Sequence, residues 1–307
     1  MHSKLLILYV VIFAIALAAL IYARSPSRGP QSEERITVLS TFTVIADMVR
    51  EVGGDRVEAI SLTKPGVEIH GYEPTPGDLV RASSADIIFD NGLNLEVWAQ
   101  KLYVSLSGLP HVTISDGVEI IPIREGLYKD RPNPHAWMSP KQALIYVENI
   151  RRALALLSPQ NAAYFNVRAK TYSEKITALD KSLREAVLSI APEKRYLVTC
   201  EGAFSYLAKD YGLQEIYLWA INDESQGSPQ QVAAVVDAVE RYDIPVVFCE
   251  STIEPRIQEE VARASGARLG GLLYVDSLSS ASGPAPTYLA LLEHTVSTIV
   301  SGLTTNN

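Results

Sequence analysis

The feature that most constrains this fold is a stretch without helix breakers in the middle of the chain. Ser158-Pro159 opens it, and from there to Ile190 the sequence contains no Gly and no further Pro. Ala162, Phe165, Ala169, Tyr172, Ile176, Leu179, Leu183 and Val187 recur at steps of three and four, as on one face of an α-helix. A helix over 159–190 would run about 48 Å at roughly 1.5 Å per residue. That is more than one small domain needs, so the spacing predicts a solvent-bridging helix between two bodies.

Strand-like and helix-like segments alternate on both sides of it. Before it come the strands 36–39, 57–62 and 86–89 and the helices 44–52, 95–106, one starting at Thr75-Pro76 and one starting at Ser139-Pro140. After Pro192 come the strands 196–200, 215–219, 245–249 and 271–275, with helices over 204–211, 229–242, 254–265 and 287–303. This order predicts an α/β fold: two lobes, each with a mostly parallel sheet flanked by helices, joined by one long helix. The expected divisions are 1–34 as an export segment and linker, 35–158 as the first lobe, 159–190 as the linking helix and 191–307 as the second lobe.

Leu5 to Ala23 carries no charge, with Lys4 before it and Arg24 and Arg28 after it. The run is long for a secretory core and at the lower edge for a membrane span, so a cleaved signal and an uncleaved anchor are weighed equally. Either exports the remainder. No Cys lies near the end of the run, so a lipoprotein is not expected. The formal net charge of −8 argues against a nucleic-acid partner.

Of the five His residues, His2 belongs to the export segment, while His111 and His294 suit surface or packing roles. His70 and His135 sit in Pro-rich loops, Val67 to Pro76 and Pro132 to Pro140. Loops at the carboxyl ends of parallel strands are where open α/β sheets bind ligands. In the second half, Glu201 and Asp276 each follow a strand; either alone would more often cap a helix. Together, two imidazoles on one lobe and two carboxylates on the other would face each other across a cleft.

Four motifs carry a family resemblance: His-x-Tyr-Glu-Pro-Thr-Pro at 70–76, Pro-His-Ala-Trp-Met-Ser-Pro at 134–140, Glu-Gly-Ala-Phe-x-Tyr at 201–206 and Leu-Tyr-x-Asp-Ser-Leu at 273–278. In these the chain resembles the metal-specific solute-binding proteins of ABC importers, over roughly 35–305. The resemblance implies two lobes on a rigid helix and the metal ligands His70, His135, Glu201 and Asp276. It implies delivery of a divalent transition metal to the importer's membrane permease subunits, by a monomer without catalysis. A long stiff helix should limit lobe motion, so small movements and local loop changes near Asp276 are expected. Two positions depart from the family: Ile69 stands where Pro is usual, and Asn133 where Asp is usual. Neither removes a ligand; both bear on loop stiffness and hydrogen bonding around it.

Two imidazoles with two carboxylates form a hard to borderline donor set, suited to Mn²⁺ or Fe²⁺. Zinc-delivering relatives typically carry His at the position of Glu201 and a long His-rich loop, and this chain has neither. Zn²⁺ is still expected to bind in vitro, by the Irving–Williams order. The stretch Leu218 to Pro229 resembles the iron/manganese subgroup. Alternative readings are a zinc-delivering member, a metal-dependent hydrolase and an adhesin. The hydrolase lacks sequence support, with no His-Glu-x-x-His, Gly-x-Ser-x-Gly or phosphate loop.

Cys200 and Cys249 are the two cysteines, each ending an apolar strand and each followed by Glu. A disulfide between them is expected in an exported protein. In the chain-entropy model it would stabilise by roughly 4 kcal/mol.

Overall fold

The computed structural model describes residues 35–222 and 227–305. The segment 1–34, with the run Leu5 to Ala23 and His2, lies outside them. Four parallel strands build the first sheet: β1 (Ile36–Ser40), β2 (Val57–Ser61), β3 (Ile87–Asp90) and β4 (His111–Thr113), in the order β2-β1-β3-β4. Parallel neighbours need crossovers. These are α1 (Thr43–Gly53), α2 (Pro76–Ala82) and α3 (Gln100–Ser105). Thr75 caps α2 in a reciprocal box with Asp78, and Pro76 fills the first turn, as the sequence implies.

The expected helix over 95–106 is shorter, a 3-10 turn at Val97–Ala99 followed by α3. Gly92, Leu93 and Asn94 all take positive φ. The Glu96 carboxylate accepts the backbone N–H groups of Asn91 and Gly92, so it caps this turn instead of extending a helix.

α4 (Pro140–Leu157) starts on the Ser139 cap. The long helix follows as a 3-10 turn, Pro159–Asn161, and α5 (Ala162–Leu188). It is not solvent-bridging. Phe165, Ala169, Tyr172, Ile176, Leu183 and Val187 are buried, and α5 packs on α1 and α4 of the first lobe and on α9 (Tyr288–Thr304) of the second. One apolar core runs through both lobes along this stripe, from Val38 and Met48 to Leu292 and Ile299. The periodicity located the helix correctly; its polar face concealed how much of the other face is covered on both sides.

The second lobe contains β5 (Tyr196–Glu201), α6 (Ser205–Tyr211), β6 (Gln214–Trp219), α7 (Pro229–Arg241), β7 (Val246–Glu250), α8 (Arg256–Ser265) and β8 (Arg268–Leu273), then α9. Its strands form two parallel pairs, β5-β6 and β7-β8. β5 lies against β7, but side chains take over much of the bonding along this seam. Gln258 Nε2 donates to the carbonyls of Val198 and Phe248, and the Glu250 carboxylate accepts the N–H groups of Cys200 and Glu201. β8 begins and ends earlier than the expected 271–275. Gly270 belongs inside it because a Cβ there would lie 2.5 Å from the Phe248 ring.

In this structure the expected disulfide is not closed: Cys200 and Cys249 are buried with their sulfurs 3.0 Å apart. The two sit together on neighbouring strands, as the sequence places them.

Candidate metal centre

His70 lies in the loop after β2. Its backbone is held on both sides: the Trp98 indole donates to the Ile69 carbonyl at 2.8 Å, and the α2 cap fixes Thr75. His135 precedes a 3-10 turn (Ala136–Met138) and is fully buried. The Asn133 side-chain oxygen accepts both the His135 backbone N–H (3.0 Å) and its Nδ1–H (2.8 Å). The backbone donor fixes which end of the amide faces the histidine, so Nδ1 carries the proton and Nε2 presents a lone pair. The amide nitrogen donates to the Gly202 carbonyl at 2.7 Å. The aspartate usual at this position could not make that bond.

Glu201 ends β5, with its N–H on Glu250 Oε1 at 3.0 Å. Burial pushes Glu250 itself up to about 8. Gly202 must be glycine for space: a Cβ would meet the Tyr217 ring at 2.9 Å and the Ala220 carbonyl at 3.1 Å. Asp276 follows β8. The Trp137 indole donates to the carbonyl of its neighbour Val275 at 3.0 Å, and the Ser277 hydroxyl accepts the Gly66 N–H at 2.7 Å.

These four side chains converge. His70 Nε2 is 3.1 Å from His135 Nε2, 3.3 Å from Glu201 Oε1 and 3.9 Å from Asp276 Oδ1. His135 Nε2 is 3.7 Å from Glu201 Oε1 and 3.5 Å from Asp276 Oδ1. Donors at roughly 2.1 Å from a common ion stand about 3.0–3.4 Å apart for octahedral to tetrahedral angles. The observed spacings, 3.1–3.9 Å, lie within about half an ångström of that range.

The electrostatics are those of a site short of positive charge. Glu201 Oε2 and both Asp276 carboxylate oxygens are buried without a hydrogen-bond partner, an expensive state unless a cation takes them. Burial, then the charge of Asp276, push Glu201 well above the carboxylate range. Burial also works against ionised Asp276, but the imidazoles of His135 and His70 outweigh it and hold that group below its ordinary value. Burial drives His70 down to about 3, against the pull of Asp276. Two ionised carboxylates would offset the charge of a divalent ion.

His111 and His294 are not brought to this centre. His111 Nε2 is 2.7 Å from Asp90 Oδ2, and His294 Nε2 is 3.1 Å from the Leu272 carbonyl. Sequence reasoning passed over Glu68, Asn222 and Glu250, which place the converging side chains. Asn133 was noticed only as a departure.

Residues 38–302 match the family described as "ZnuA: Zinc-uptake complex component A periplasmic". The chain belongs to this family. The iron-binding protein YfeA of Yersinia pestis is 50% identical over 290 residues, 94% of this chain and 93% of that protein. The metal ABC transporter substrate-binding lipoprotein SsaB of Streptococcus sanguinis is 31% identical, covering 94% of this chain and 96% of its own. Among solved structures, a Mn-bound periplasmic metal binding protein from candidatus liberibacter asiaticus is 40% identical with a TM-score of 0.81, over 88% of this chain and all (100%) of that one.

The α/β fold with its long helix and the class, an extracytoplasmic metal-binding protein of an ABC importer, are thus established. One expectation is corrected. The exclusion of a lipoprotein rested on the lack of a Cys near Ala23, whereas the relative SsaB is by name a lipoprotein. The missing cysteine does not sustain that exclusion.

Proposed function

We propose that the chain captures Mn²⁺ or Fe²⁺ through His70, His135, Glu201 and Asp276 and passes it, without chemistry, to the membrane subunits of an ABC importer. The observation that carries this reading is the convergence of two imidazoles and two carboxylates, three of whose buried oxygens lack any other partner. The hard to borderline donor set favours Mn²⁺ and Fe²⁺. The iron-binding relative and the Mn-bound structure support the same choice.

Zn²⁺ is the second reading, supported by the family's description and by donor spacings that also suit a tetrahedral ion. Elemental analysis of protein purified from cells without chelators tests the assignment. Mn or Fe near one equivalent, lost in Asp276→Ala, is the expected result. Zn alone under manganese- and iron-replete growth would favour the second reading, and metal retained in Asp276→Ala would remove the ligand assignment.

The cysteine pair belongs to this reading as well. The buried sulfurs at 3.0 Å would close to a disulfide in an oxidising compartment. The two thiols would give up two protons and two electrons to an oxidised dithiol partner. Thiol titration of denatured, unreduced protein should find none; two free thiols would remove the disulfide. An N-terminal export signal is proposed on the charge-free run Leu5 to Ala23. N-terminal sequencing of the mature protein checks whether it is cleaved.

A further inference from the structure

Of the four converging side chains, three have no solvent contact and His70 retains 5%. His70 is also the one that lines a cleft of about 500 Å³, whose wall includes Gly71, Leu95, Arg131, Ile221 and Asn222. The short way between an ion at this centre and water therefore passes His70 and Asn222.

A hydrogen-bonded bridge closes that passage. The Glu68 carboxylate spends one oxygen on its own loop, with Oε1 accepting the N–H groups of Ile69 and His70 at 2.8 Å each. The proline usual at the position of Ile69 has no N–H to give. The other oxygen, Oε2, accepts Asn222 Nδ2 from the second lobe at 2.8 Å. The orientation of the Asn222 amide is fixed, because its oxygen accepts the Trp219 indole N–H at 2.8 Å. The Asn222 backbone N–H then donates to Glu201 Oε1 at 2.7 Å. An unbroken path thus runs from the backbone of His70 through Glu68 and Asn222 to the carboxylate of Glu201. It links two of these side chains from opposite lobes and ends on Glu201 Oε1, the oxygen that faces both imidazoles.

We propose that the Glu68–Asn222 bridge is a clasp that sets how long the ion stays, holding the His70 loop against Glu201 until it opens. Both are positioning residues, and the proposal rests on the metal-capture reading above. Asn222→Asp keeps the shape, the Trp219 bond and the backbone bond to Glu201, but turns a carboxylate oxygen toward Glu68. Glu68→Gln keeps an acceptor for Ile69 and His70 but turns an NH₂ toward the Asn222 NH₂. Each breaks only the bond between the lobes. Combined, they rebuild it in reverse, with the introduced glutamine amide donating to the introduced carboxylate at unchanged net charge.

The experiment loads the full chain with Mn²⁺ and follows release into excess chelator by stopped flow, with the apo melting temperature recorded for each variant. Release should be roughly 10- to 100-fold faster in either single variant, the range for losing a group that orients a ligand. In the double variant it should return to within about threefold of wild type, as expected when two partners act through one bond. For Asn222→Asp this is opposite in sign to the effect of the added charge, which alone would hold a cation longer. Should Asn222→Asp fail to fold, wild-type release in Glu68→Gln would still overturn the clasp, and Glu68→Gln paired with Glu73→Gln, a charge removed outside the bridge, isolates the bond from the charge. Wild-type release rates in the single variants, or a double variant as fast as the singles, would overturn the clasp and leave capture intact. A wild-type chain that takes up neither Mn²⁺ nor, in an anaerobic repeat, Fe²⁺ would overturn capture and the clasp together.

Discussion

Truncating Asn133 to Ala should weaken the metal centre without touching any ligand. Asn133 is 2% exposed and serves three buried groups: the His135 N–H, the His135 Nδ1–H and the Gly202 carbonyl. At about 1 kcal/mol net for each bond lost, Asn133→Ala should cost the apo protein about 3 kcal/mol. For a chain of this size that lowers the melting temperature by about 6–12 °C. The effect on metal is separate. Without an acceptor at Nδ1 the imidazole is free to change tautomer and rotate, and affinity should fall roughly 10- to 100-fold. Asn133→Asp divides the two effects, since it retains the acceptor for His135 and loses the donations to the Gly202 carbonyl and the Ser205 hydroxyl. Its Mn²⁺ affinity should exceed that of Asn133→Ala by about tenfold. Chelator competition for Mn²⁺ measures the affinities, and scanning calorimetry measures the apo stability. An Asn133→Ala protein that binds Mn²⁺ within about twofold of wild type would refute the argument that His135 depends on its partner.

Three further expectations concern the surrounding structure. Gly202→Ala should lower apo stability and metal affinity together, because the new methyl meets the Tyr217 ring and the Ala220 carbonyl; unchanged melting and Mn²⁺ binding would show that the Glu201 loop has slack. The Asp90 hydrogen bond raises the pKa of His111 above its ordinary value. Its contribution is therefore complete below the unfolded-state pKa and lost as pH rises through the folded one; at this exposure it is under about 1 kcal/mol, and melting curves of wild type and His111→Gln across that range should converge at high pH. Thr75→Ala removes the side-chain acceptor at the start of α2 and should cost about 1 kcal/mol in urea unfolding; a wild-type midpoint would show that Pro76 and Asp78 suffice.

The fold was legible wherever a local rule acts alone. Thr75-Pro76, Ser139-Pro140 and Ser228-Pro229 each mark a helix start that the structure repeats, because the cap and the proline need only their own neighbours. Reading failed where a distant residue decides. Gly270 looks like the end of a loop before a strand at 271–275, yet it lies within β8, where it leaves room for Phe248. The charged face of α5 suggested a helix in water, while its other face meets helices from both halves of the chain. At the centre, His70 and His135 stood out through their Pro-rich loops, and Glu201 and Asp276 through their places after strands. Glu68 and Asn222 did not. They are separated by 154 positions, and a loop carboxylate and a loop amide look ordinary until the chain brings them together.

The tie between Trp137 and Val275 carries a consequence for how the centre comes apart. Trp137 is two positions from His135, Val275 is next to Asp276, and the Tyr288 hydroxyl of α9 holds the Trp137 carbonyl as well. His135 and Asp276 are thus riveted into one block, although they belong to different halves of the molecule. Were an ion held among the four side chains, a tilt about this block would part them on the His70 side first and leave His135 and Asp276 together.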